Sequence, residues 1–165
     1  MFGFSLKKIL GEKEKCFEDQ FSQLQADMVD ICLEYVEDRT EKIFIYCACE
    51  DNMMANIFFY QINGQIVWKH KLNDALKSGE PKYDVSIERQ KKVVNIINED
   101  LKSLKEVCLK HHQKMPVQIK LVYDVLTHKL DADYQYEPIL GKTPGLTIQD
   151  VAEEWYQAQR LAAHQ

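Results

Sequence analysis

The 165-residue chain has few residues that interrupt regular structure, with six glycines and four prolines. That composition excludes fibrous repeats and argues against disorder, since apolar content is that of a globular protein. No stretch approaches the roughly 18 to 20 apolar residues that would span a bilayer. The amino terminus, MFGFSLKKILG, carries Lys7 and Lys8 among apolar residues, but no run of signal-peptide length and no small-residue cleavage site follows. A cytoplasmic location is the expectation. Residues 1–14 read as an amino-terminal extension in which Phe2, Phe4, Leu6, Ile9 and Leu10 dock onto one α+β domain spanning 1–165.

Phosphate-binding loops are also lacking, because neither a Walker pattern nor a dinucleotide fingerprint can be drawn from the scattered glycines. Cysteine is present but odd in number, at Cys16, Cys32, Cys47, Cys49 and Cys108, which suits free thiols in a reducing compartment rather than disulfides. Positive charge is scarce where negative charge is dense. Between Cys16 and Ala55 ten acids face only Arg39 and Lys42, within a net charge of -5. This asymmetry makes nucleic acid a poor partner and a basic protein a plausible one.

What is present is periodic. Phe17, Phe21, Leu24, Met28, Ile31 and Tyr35 recur at spacings of 4, 3, 4, 3 and 4, which predicts an amphipathic helix over about 15–38. The runs KIFIYCAC and ANIFFYQI, then QIVWKHKL after Asn63-Gly64, predict three antiparallel strands, because Asn-Gly tolerates the positive φ of a tight hairpin turn. Ile87, Val94, Ile97, Leu101, Leu104 and Cys108 predict a second helix from near Ser86 to before Pro116. VQIKLVYD and DADYQYE flank Thr127-His128 as a second hairpin, and Thr147-x-x-Asp150 starts a last helix through Val151, Trp155, Ala158 and Leu161. The order α-βββ-α-ββ-α predicts an α+β fold, an antiparallel sheet of about five strands with helices packed mainly on one face.

Chemistry is harder to place. Cys47 and Cys49 share a strand face, and Cys108 with His111 or His112 could complete a zinc set, yet small core cysteines explain the same pattern. Asp131 and Asp133 are i, i+2 neighbours able to share a divalent ion or act as an acid pair, but the sequence supplies no convergent groups. Tyr60, Trp68, Tyr134 and Tyr136 lack the basic flanks of an RNA-stacking platform and are assigned to packing. No cofactor is implied.

The early amphipathic helix leading into EKIFIYCACEDNMMANIFFYQINGQIVW, the long middle helix, the hairpin VQIKLVYDVLTHKLDADYQYE and the late pair Trp155-Tyr156 resemble the YezG-type bacterial immunity proteins. The resemblance runs from about Phe17 and rests on pattern and order. It departs in the basic apolar amino terminus and the ending RLAAHQ. It implies a noncatalytic cytoplasmic antitoxin that binds the basic nuclease domain of a cognate secreted toxin. On that reading the contacting carboxylates are Glu34, Glu37, Asp38, Glu50, Asp51, Asp131, Asp133 and Glu137. Two alternatives stay open: a small metal-dependent or cysteine hydrolase, and an adaptor domain for a partner other than a toxin.

Overall fold

The computed structural model describes residues 16–164. The extension assigned to 1–14, with its apolar residues Phe2, Phe4, Leu6, Ile9 and Leu10, lies outside them. The first helix, α1, spans Phe17–Tyr35, and the strands β1 (Lys42–Glu50), β2 (Met53–Ile62) and β3 (Gln65–Trp68) follow. A short 3-10 turn at Leu72–Ala75 precedes α2 (Ile87–Lys110), then β4 (Gln118–Asp124), β5 (Lys129–Gln135) and α3 (Ile148–Ala163). All strand pairs are antiparallel, in the order β3-β2-β1-β4-β5. The α+β reading and its element order hold.

Local chemistry accounts for the turns. Asn63 and Gly64 adopt φ of 51° and 78° as the Asn-Gly hairpin requires, and the Glu41 carboxylate accepts both their backbone N–H groups. Asp51 and Asn52 make the equivalent turn between β1 and β2, at φ of 52° and 63°. The last helix begins on the expected capping box, with Thr147 Oγ1 accepting from the Asp150 N–H and Asp150 returning the contact. β3 is shorter than the run QIVWKHKL because the chain bends at Lys69, whose carbonyl accepts from the buried Tyr35 hydroxyl, and drives Leu72 into the core.

Among the described residues, two helices cover one face of the sheet and one covers part of the other. Ile43, Ile45 and Cys47 of β1, with Phe58 and Tyr60 of β2 and Leu121 of β4, pack against α1 and α2. On the opposite face Phe44, Phe59 and Ile66 meet Tyr156 and Trp155 of α3, and Tyr46 and Ala48 meet Ala152. This explains why KIFIYCAC is apolar at nearly every position: a central strand roofed on both sides has no solvent face to alternate toward. α3 lies over β2 and β3, and among the described residues no helix covers β5 on that face.

Candidate functional site

The eight candidate carboxylates are brought into three separate places. Glu34, Glu37 and Asp38 sit at the carboxyl end of α1, where Glu37 and Asp38 take left-handed φ of 54° and 61° and project into solvent. Their field is diluted by cations: Lys92 Nζ lies 3.5 Å from Glu34, Arg89 donates to the Glu34 carbonyl, and Arg39 stacks 4.0 Å over the Tyr83 ring. Such exposed pairs contribute little energy but do reduce the net charge a partner meets.

Glu50 and Asp51 lie at the far end of β1, roughly 26 Å from Lys42 for a nine-residue strand. Asp51 is exposed in its turn. Glu50 is not, and its assignment to a partner surface is corrected. Its carboxylate is buried beneath the loop after β5, accepting the backbone N–H groups of Ile139 (3.1 Å), Leu140 (3.0 Å) and Gly141 (2.8 Å). Those donors, led by Gly141, hold its carboxyl below the usual carboxylate range. A Cβ on Gly141 would come 3.2 Å from Glu50 Oε1, so glycine permits the approach. Glu50 is a structural anchor that stitches this loop to the sheet across about ninety residues of sequence.

A test follows from the sign of that shift. A depressed folded value stabilises the loop above the unfolded carboxylate range and loses that support as pH falls through the folded value. Glu50→Gln should therefore speed amide exchange at Ile139, Leu140 and Gly141 at pH 7, while the wild-type protein shows the same loosening only under acid. Equal protection in both proteins at pH 7 would remove Glu50 from this role.

Asp131, Asp133 and Glu137 form the third group. Asp131 and Asp133 stand opposite Val122 and Lys120 on the side of the sheet that α3 occupies elsewhere, and both are exposed. Their partners are weak: Lys129 Nζ is 3.7 Å from Asp131, and Lys114 Nζ is 4.0 Å from Glu137. The strand's other side carries Leu130 and Tyr134, both half-buried, with Tyr134 edge-on to Phe21 of α1 and Gln25 donating to its hydroxyl. The alternation read from DADYQYE is thus the observed one, although the strand ends at Gln135.

At the end of β5 a cavity of about 480 Å³ opens between the first turns of α1 and the segment joining α2 to β4. Phe17, Phe21, Tyr134 and Tyr136 form its apolar wall, with Glu18, Ser22, Gln113 and Lys114 around them. Tyr136, assigned to packing from sequence, is 41% exposed here. Tyr60 and Trp68 are packing residues, the first fully buried with its hydroxyl donating to the Cys32 carbonyl, the second stacked 4.0 Å from Tyr156.

The groups considered for catalysis are dispersed or masked. Cys47 is fully buried and burial pushes its thiol far up, while burial raises Cys49 to about 11, so neither is a thiolate near neutrality. Cys108 lies 3.8 Å from the Met115 sulfur. His111 contacts Gln20 and the Phe17 ring, and His112 is exposed. Among the described residues no three His, Cys, Asp or Glu side chains are grouped to hold a metal ion, and no helix is long and apolar enough to cross a membrane.

One ionisable pair escaped the sequence reading. Asp100 of α2 is buried and lies beside the Asp27 carboxyl of α1. Burial first, then Asp27 and Glu99, raise the Asp100 carboxyl to about 7. The signal was available, since Asp100 falls between Ile97 and Leu101 at the margin of the apolar stripe.

The class defined by this architecture is an α+β domain whose described residues form a five-stranded antiparallel sheet with β3 and β5 at its edges. No protein-family model matches the chain, and no curated protein matches it significantly.

Proposed function

We propose that the protein works by binding, as an immunity protein that neutralises a cognate secreted toxin, a nuclease, by covering its basic active site. The observation that carries this reading is the pair of exposed carboxylates Asp131 and Asp133 on β5, an edge strand among the described residues, with exposed Glu137 two residues past its end. A nuclease site is basic because it holds phosphates, so presented carboxylates accelerate association and occupy the phosphate positions. The resemblance to YezG-type immunity proteins points the same way. Glu34, Glu37, Asp38 and Asp51 belong to other parts of the surface, so the reading centres on β5 and Glu137.

The experiment is reconstitution with the basic, nuclease-like carboxyl-terminal domain of a secreted protein encoded beside this one. A 1:1 complex that suppresses cleavage is expected, and Asp131→Asn with Asp133→Asn should weaken it about tenfold at low salt, two exposed pairs being lost. Undiminished inhibition by the double variant, or binding insensitive to salt, would sink the assignment.

A further inference from the structure

Among the described residues, β5 is an edge strand of seven residues paired only with β4. Its outer backbone groups are a template for another strand. Its two sides differ: Asp131 and Asp133 are exposed on one, and on the other the wall formed by Tyr134 and Tyr136 leads into the 480 Å³ cavity. We infer that β5 receives an extended segment of the partner as a sixth strand, one in which basic residues alternate with large apolar ones. Period-two alternation would send the basic side chains toward Asp131 and Asp133 and the apolar ones toward Tyr136 and the cavity. This inference takes from the proposed function only that the partner is basic.

A second copy of the chain is the poorer occupant. Antiparallel pairing of two β5 strands about Ala132 would set Asp131 of each against Asp133 of the other, and like charges directly opposite repel. The same acids that keep the edge from self-association select a segment of opposite charge.

The probe is a capped peptide of β5's length alternating lysine with valine and phenylalanine, and its control carries glutamate for lysine. With the full chain, the lysine peptide should bind, protect the amides of Lys129–Gln135 from exchange and lose affinity with salt. Asp131→Asn with Asp133→Asn should weaken it about tenfold, and Tyr136→Ala should weaken it severalfold with the fold intact by circular dichroism. Protection elsewhere, equal binding of the control, no binding at about 1 mM, or a dimer that already protects β5 would each overturn the inference. Loss of toxin binding in the double variant without β5 protection by either toxin or peptide would end strand addition while leaving the inhibitor reading standing. Strand addition that persists while the toxin is untouched by the variant would do the reverse.

Discussion

Replacing Phe59 with alanine is expected to destabilise the protein by about 3–5 kcal/mol, measured by urea unfolding. The ring is fully buried, stacked 4.7 Å from Phe44 and meeting Trp68, Trp155 and Tyr156 edge-on at 5.4, 5.1 and 5.2 Å. Removing it costs the transfer of the ring to water and opens a void that four large neighbours can only partly fill. Because Trp155 belongs to α3, its fluorescence should shift toward that of exposed indole before the rest of the sheet unfolds. Phe59→Leu should recover much of the loss, as it restores most of the volume. A cost below about 1 kcal/mol for the alanine variant would mean that α3 does not roof this face.

The second large effect depends on pH. Asp100→Asn should leave stability nearly unchanged at pH 4 and raise it by about 1–2 kcal/mol at pH 8, below the full linkage value because Asp27 is open to solvent. Asp100 is 8% exposed, one of its oxygens has no hydrogen-bond partner, and its neighbours are Asp27 across the helix pair and Glu99 on its own helix. Its folded value of about 7 stands above the unfolded carboxylate value near 3.9, so the proton is held more tightly in the fold. The stability this supplies is fully present below the unfolded value and is lost as pH rises through about 7. Asparagine keeps the shape and cannot ionise. Parallel stability profiles for the two proteins between pH 4 and 8 would show that the pair carries no such linkage.

These two residues also mark the limits of sequence reading. Phe59 lies in ANIFFYQI, where consecutive aromatics already indicate a strand, but which ring faces α1 and α2 and which faces α3 depends on register. Asp100 sits at the border of a stripe, and period alone does not say whether the border is wet; Asp27 on the neighbouring helix makes it a carboxyl pair. Glu50 was misread for a related reason. An acid before a turn is normally solvated, and nothing near it in sequence announces that Ile139, Leu140 and Gly141 will bring three N–H groups to it.

By itself the sequence determined the elements and their order, because helix and strand periods, the Asn63-Gly64 turn and the Thr147-Asp150 cap act over a few residues. It also set the alternation of DADYQYE, since period two follows from backbone geometry alone. The tertiary structure decided which carboxylates remain on the surface and which are consumed. It scattered one acidic stretch of sequence over two ends of the sheet, buried Glu50 and Asp100, and left Asp131 and Asp133 on an open edge. Burial and charge pairing depend on neighbours distant in sequence, and only packing brings those neighbours together.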